Sequence, residues 1–480
     1  MTSSLDVVEP PAVPPTTSGR AGILSALRDA LRGSSEDLTV GPIPRAILLL
    51  AVPMVLEMAL ESVFAVTDVF FVGRLGAAAV ATVGLTESWL ALLYALAVGL
   101  GVGATATVAR RIGEGDAQGA AHAAVQAVVL GLATAVLFGV CGVLAAPHLL
   151  KIMGADAGVL AVGTTYARVM LGGSGTILML FVINAVFRGA GDAAIAMRVL
   201  WLANSINILL GPCLIFGLGP FPRLGVTGAA IATTIGRGTG VVFAITRLVR
   251  PGHRVSIKRS DIRLAPAVMW RMIKLSGSGV LQMFIGTASW IGIVRIMSLF
   301  GSSALAGYTI GMRIVVFALL PSWGLSNAAA TMMGQSLGAG RPERAARAVW
   351  LTAFYDCCIL TAVGAVFMLA ARPIVGIFTT DPTVLATGAH CLRIISAGFP
   401  FYAYGMVVTQ SFNGAGDTRT PTLLNLAVFW LWEIPLAYVL ARFTPLGPSG
   451  VFVSIAVAFS TLALASALLF RRGRWRTVNV

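Results

Sequence analysis

Apolar runs of twenty residues or more recur along this chain, separated by short segments rich in Arg, Gly, Pro and Asp. The stretches Ala127 to Ala146 and Val451 to Phe470 carry no charge. A run of about 20 apolar residues is long enough to cross a bilayer as a helix. Bounded by charges, Gly and Pro, the pattern predicts twelve helices, near 45–72, 78–109, 118–146, 157–187, 193–217, 225–248, 269–299, 303–333, 344–371, 383–412, 420–442 and 449–470. Ahead of them, residues 1–44 are rich in Pro, Ser and Thr and lack the continuous apolar core of a cleavable signal peptide, so they read as a cytoplasmic tail. Within that tail "GILSALRDALRG" sets Ile23, Leu24, Leu27 and Leu31 on one helical face beside Arg28 and Arg32. That pattern fits a short helix lying against anionic lipid, or a tail with no fixed structure.

The chain is written twice. "FRGAGD" at 187–192 returns as "FNGAGD" at 412–417, an offset of 225. The same offset pairs Gly76 with Gly301, Gly113 with Gly338, Asp156 with Asp381, Arg168 with Arg393, Gly173 with Gly398 and Gly225 with Gly450. One offset aligning so many positions marks a duplication. Six helices per copy is an even number, so both copies enter the membrane from the same side and are related by an axis along its normal. The expected fold is an all-α polytopic membrane protein with twelve transmembrane helices in two six-helix lobes. The expected organisation is a tail at 1–44, an N-lobe at 45–250, a basic linker at 251–268, a C-lobe at 269–471 and a tail at 472–480. Transporters built from parallel repeats bind substrate near mid-membrane between the halves.

Composition agrees: 57% of residues are hydrophobic and only 11% charged, against about 25% charged in soluble domains. The net charge of +15 would fit a nucleic-acid partner were it not for its placement. Of the 34 Lys and Arg, 24 fall on one side of the bilayer if both termini are cytoplasmic, and five (Arg74, Lys151, Arg223, Arg372, Arg442) on the other. That asymmetry sets orientation during insertion, so the basicity is topological and implies no nucleic acid. The five cysteines lie in apolar segments without metal-ligand spacing and read as buried small hydrophobes. The four histidines form no zinc pattern, no HExxH or nucleophile–base spacing appears, and no enzyme is expected.

Charges inside spans are costly and carry either a partner or a task. Helix 1 carries Glu57, Glu61 and Asp68, which at 100° per residue fall within about 40° of one another. The stripe reads either as a water-accessible wall binding protons, sodium or a cationic substrate, or as structural pairing with internal Arg. Glu87 and Arg168 sit at similar depth and are candidates to pair. Glu433 lacks a counterpart, since position 208 is Ile, and reads as a second cation site or as a partner of Arg295 or Arg313. Asp356, beside two cysteines, reads as hydrogen-bonded inside its own half. Met and aromatic residues of helices 7 and 8, among them Met283, Trp290 and Tyr308, fit either a pliable cavity or plain packing.

In order and spacing, "PMVLEMALESVFAVTDVFFVGRLG", "GVGATATVARRIGEGD", "FRGAGD", "NILLGPCLIFGLG" and "LGVTGAAIATT" resemble the multidrug and toxic compound extrusion (MATE) transporters over roughly residues 43–470. The acid in "VTDVFFVGRLG" makes the chain most similar to the DinF-like prokaryotic branch. The resemblance implies that Asp68 is the cation-coupling carboxylate, with Asn184, Asn207 and Thr233 the polar residues around it and a sodium position at Asp68 and Asn207. Where similar proteins often carry a second helix-5 acid this chain has Gly211, which puts the two-carboxylate sodium site in doubt. Glu57, Glu61, Glu87, Gln282 and Glu433 make up the wider set for the substrate cavity or secondary coupling. The implied activity is efflux of lipophilic organic cations in exchange for protons or sodium, by alternating access, in a monomer of the prokaryotic inner membrane, with membrane lipids as neighbours and no cofactor beyond the coupling ion. The competing expectation is a flippase of lipid-linked saccharides, for which Arg237, Arg295 and Arg313 would provide a cationic cavity.

Overall fold

The computed structural model describes residues 19–34 and 36–478, and among them every regular element is helical. A first helix, α1 (Gly19–Arg32), precedes the spans. The first copy comprises α2 (Ile43–Gly73), α3 (Ala77–Gly113), α4 (Ala117–Ile152), α5 (Ala157–Gly172), α6 (Ser174–Ala190), α7 (Ala193–Phe216) and α8 (Val226–Val249). The second comprises α9 (Pro266–Met297), α10 (Ser302–Gly338), α11 (Pro342–Gly376), α12 (Pro382–Ala397), α13 (Phe399–Ala415), α14 (Arg419–Asn425), a π-helical stretch Leu426–Glu433, α15 (Ile434–Phe443) and α16 (Pro448–Arg471). Among the described residues eleven helical segments are long and apolar enough to span a membrane, and α12 with α13, bent by 58°, counts as a twelfth when the pair is taken as one span.

Two expected spans are not single helices. The fourth is divided into α5 and α6 at Gly173, and the tenth into α12 and α13 at Gly398, its repeat mate. The eleventh carries the π-helical stretch, which hydropathy cannot register.

The repeated hexapeptide has a geometric cause. Gly191 and Gly416 end α6 and α13 with φ of +87° each, a left-handed conformation that glycine adopts without a Cβ penalty. Two residues earlier, a Cβ on Gly189 would lie 2.8 Å from the Thr105 carbonyl oxygen, and one on its mate Gly414 would strike that of Ala330. Thr105 and Ala330 are themselves 225 apart. The paired Asp156 and Asp381 cap α5 and α12, accepting hydrogen bonds from Val159 N at 2.8 Å and Val384 N at 3.1 Å.

Between the lobes, the second helix of each copy packs on the first helix of the other. A Cβ on Gly99 would lie 2.7 Å from Ser276 O, and one on its mate Gly324 2.8 Å from Val55 N. Farther along, Gly113 abuts the Gln335 carbonyl while its mate Gly338 abuts that of Arg110. These approaches all lie in the half of the bundle nearer the termini. Toward the opposite face, Glu87 of α3 and Arg313 of α10 are exposed, so the lobes close at the terminus-bearing end and part toward the other.

The segment after α1 crosses that closed end. Arg254, in the loop after α8, donates to the Glu36 carbonyl. From the other lobe, Arg341 donates to Thr39 O at 2.6 Å and Arg344 to Leu38 O and Val40 O at 2.9 Å each. Leu38 is buried against Ala193, Leu325 and Met332. Helix α1 buries Ala26 and Ala30 and leaves Leu24 and Leu31 exposed, the arrangement an interfacial helix requires; the side chain of Ile23 lies outside the described residues. The expectation that all cysteines are buried is corrected: Cys391 is buried, while Cys141 and Cys358 are exposed and Cys213 and Cys357 partly so. An outward-facing thiol sits easily among lipid tails, so apolar sequence context in a span does not distinguish core from periphery.

Candidate functional site

The acids of α2 do not form one open wall. Glu57 is 2% exposed, and its Oε1 accepts a hydrogen bond from Arg188 Nη1 of α6 at 2.7 Å. Glu57 is thus paired with an internal Arg. One turn on, Glu61 Oε2 accepts from Asn204 Nδ2 of α7 at 2.9 Å. Asp68, two further turns along, is partly buried, and among the described residues its carboxylate has no hydrogen-bond or ion-pair partner. The three acids share a face as the spacing required, but two are engaged and one is free.

Beside them stands a buried cation. Arg237 of α8 is 6% exposed and donates from Nη2 to the Tyr94 hydroxyl of α3 at 3.1 Å. Its guanidinium lies 5.8 Å from the Phe64 ring centre, and its Nη1 is buried without a hydrogen-bond partner among the described residues. It is within electrostatic reach of both Glu61 and Asp68, and Asp68 is within reach of Glu87 and of the buried Tyr166. Asn207 donates to Thr233 Oγ1 at 2.7 Å, joining α7 to α8. Asn184 donates weakly to Ala196 O at 3.5 Å, and its Oδ1 is buried without a hydrogen-bond partner among the described residues. Of the four residues expected around the coupling ion, the structure thus joins Asn207 to Thr233 directly and leaves Asp68 and Asn184 Oδ1 with unused capacity. Within 4 Å, a Cβ on Gly211 would meet only Asn207 Oδ1, at 3.8 Å, so the missing second acid leaves open space.

Two expected pairings do not occur among the described residues: Glu87 forms no ion pair with Arg168, and Glu433 none with Arg295 or Arg313. Depth along a span is legible in sequence, but the direction a side chain points around the helix is not. Arg313, across the lobe boundary, is the cation within reach of Glu87. Glu433 ends the π-helical stretch, 6% exposed, and the Ser289 hydroxyl of α9 donates to the Phe429 carbonyl of the same stretch at 3.2 Å. Asp356 accepts from Ser322 Oγ at 2.6 Å, inside its own lobe as expected. Gln282 belongs to an amide chain: it exchanges hydrogen bonds with Asn413 at 3.1 and 3.2 Å, Asn413 donates to Gln410 at 3.0 Å, and Gln410 donates to Asn327 at 3.1 Å. Tyr308 is buried and stacked on Phe452, whereas Trp290 and Phe317 are exposed, so the aromatic set of α9 and α10 is split between packing and surface.

Sequence reading missed Arg188, Asn204, Tyr94 and the Asn413 amide chain. Asn204 lies one turn before Asn207 and was findable by helical spacing. Arg188 had a plainer signal: it is the one letter in which "FRGAGD" and "FNGAGD" differ. Among the described residues no group of three or more His, Cys, Asp or Glu is placed to hold a metal.

The MatE family model matches residues 53–213 and again 279–439, one match in each lobe. The probable multidrug resistance protein NorM of Thermotoga maritima is 25% identical over 436 residues, 91% of this chain and 94% of that protein. A FAD transporter of Shewanella oneidensis is 26% identical over 400 residues, 83% of this chain and 88% of that one. Among solved structures, an outward-facing multidrug resistance MATE family transporter of the MOP superfamily superposes with a TM-score of 0.86 at 27% identity, covering 92% of this chain and 98% of that one. With both lobes matched and the repeat seen in sequence and packing alike, this multi-pass membrane protein belongs to the MatE family of transporters.

Proposed function

We propose that the protein is a secondary antiporter that exports lipophilic organic cations in exchange for protons or sodium, with Asp68 as the coupling carboxylate. The observation that carries this reading is the difference among the α2 acids: Glu57 and Glu61 are engaged by Arg188 and Asn204, while Asp68 has no hydrogen-bond or ion-pair partner among the described residues. A carboxylate held in the bundle without a hydrogen-bond or ion-pair partner is one that a proton, a sodium ion or a cationic substrate can occupy in turn. A bound cation also weakens the attraction between Asp68 and Arg237, and a change in that pair favours one lobe arrangement over another. Asn207, Thr233 and Asn184 supply the neighbouring polar atoms, and the remaining candidates line the path or stabilise the lobes. The named multidrug relative supports the substrate class. In this reading the protein acts as a monomer in the prokaryotic cytoplasmic membrane with both termini inside, no enzymatic activity and no cofactor beyond the coupling ion.

A second reading has one observation in its favour. The buried, partly unpartnered Arg237 suits an anionic substrate, and a relative of similar identity is a FAD transporter. Proteoliposomes loaded with ethidium under an imposed pH or sodium gradient separate the two. Gradient-driven ethidium movement abolished by Asp68→Asn supports cation antiport. Movement of FAD but not ethidium, lost in Arg237→Gln, would replace it with the anionic reading.

A further inference from the structure

On the terminus-bearing side, a cavity of about 280 Å³ opens between the end of α3, the start of α4 and the start of α9. Its lining includes Arg111, His122, Arg263 and Arg271, together with Asp116 and Gly119. The two carboxylates at its edge are already engaged. Glu114 pairs with Arg111 at 3.0 Å and Arg110 at 3.7 Å, and Asp116 caps α4 by accepting from Gly119 N at 2.7 Å. Arg263 and Arg271 are exposed, and among the described residues their guanidinium groups have no partner. The cavity therefore holds uncompensated positive charge on Arg263 and Arg271, beside an α4 N-terminus already capped by Asp116.

The residues flanking Arg263 and Arg271 along the chain tell which anion fits. Ile262, Leu264, Trp270 and Ile273 are 65%, 68%, 58% and 42% exposed and alternate with Lys258, Arg259, Arg263, Arg271 and Lys274. Lys274 lies 5.4 Å from the Trp270 ring centre. Large apolar side chains interleaved with cations, at the foot of a spanning helix, mark the level of lipid headgroups. Bare apolar groups of this size would be unfavourable around a site for a free solute in water.

We infer that this cavity binds the phosphate of an anionic lipid, with Arg263 and Arg271 contacting the phosphate and the exposed Ile262, Leu264 and Trp270 beside them in sequence covered by its acyl chains. The site joins Arg111 and His122 of the first lobe to the linker and α9 that begin the second, so an occupied site ties the two together. It depends on neither the substrate nor the coupling ion.

The test uses the full chain purified in detergent, with thermal unfolding followed on addition of phosphatidylglycerol, phosphatidylcholine or inorganic phosphate, and with retained lipid counted by native mass spectrometry. The expected result is stabilisation and retention of phosphatidylglycerol over phosphatidylcholine, weakened on the order of tenfold in Arg263→Gln/Arg271→Gln. The same loss of charge at the exposed Arg419 on that face, Arg419→Gln, should leave lipid binding unchanged. Equal phosphatidylglycerol binding by the double variant and wild type overturns the site. Equal weakening by Arg419→Gln reduces it to diffuse surface charge and also overturns it. Protection by inorganic phosphate as strong as that by phosphatidylglycerol overturns the lipid assignment in favour of a soluble anion.

Discussion

Glu57 and Arg188 form an ion pair of 2.7 Å between α2 and α6, and the residues 225 positions later, Gln282 and Asn413, form an amide pair in the same place in the second lobe. Each pair spans 131 residues of sequence. Duplication preserved the contact and changed its charge: the first lobe ties its opening helix with ions, the second with neutral amides.

Breaking the ion pair from one side should therefore cost more than converting it. Glu57→Gln leaves a largely buried guanidinium uncompensated and should destabilise the protein by about 3 kcal/mol. The double change Glu57→Gln/Arg188→Asn installs the pair of the second lobe and should recover all but about 1 kcal/mol. Unfolding midpoints in detergent give both values; a double variant as unstable as the single would show that the repeat geometry does not transfer.

Gly211 leaves room for the acid that the resemblance leads one to expect. Gly211→Asp meets only Asn207 Oδ1 at Cβ distance, so it should fold and set a second carboxylate near the Asp68 region. Sodium dependence of transport should rise relative to proton dependence. Unchanged ion preference in flux assays would place Gly211 outside the coupling site.

The strap of residues 36–41 holds both lobes at the closed end through Arg254, Arg341 and Arg344. Removing the donors of one lobe, in Arg341→Gln/Arg344→Gln, should shift the population toward the arrangement open at the terminus-bearing end. Spin-label distances across the opposite face should shorten; unaltered distances would make the strap incidental. Acid should loosen the same region. The Arg45 hydrogen bond holds the Glu36 carboxyl below its ordinary value of 4.5, against its partial burial. Its contribution is complete above that ordinary value and is lost as pH falls through the lower folded one.

Gly191 and Gly416 should both be intolerant of side chains, Gly191 the more so because a Cβ there would also lie 2.6 Å from Arg254 Nη1. Alanine at either forces a left-handed conformation costing about 1–2 kcal/mol. Gly115, with a φ of +75° and nothing within 4 Å of a Cβ, isolates the backbone penalty from any clash. Matching losses at Gly416 and Gly115 in thermal unfolding, with a larger loss at Gly191, would confirm that conformation is the common cause.

What the sequence determined is one-dimensional. Span number follows from hydropathy, membrane orientation is predicted by the placement of Lys and Arg, and the duplication follows from one offset; none of these requires knowing where a side chain points. The stripe of Glu57, Glu61 and Asp68 was legible too, because helical periodicity is local. Tertiary structure decided which of those acids is free. Pairing Glu57 with Arg188 or Glu61 with Asn204 depends on the rotation and depth of helices more than a hundred residues apart, set by packing across the whole lobe. The divisions at Gly173 and Gly398 and the π-helical stretch before Glu433 were hidden for the related reason that a bent or widened helix is as apolar as a straight one.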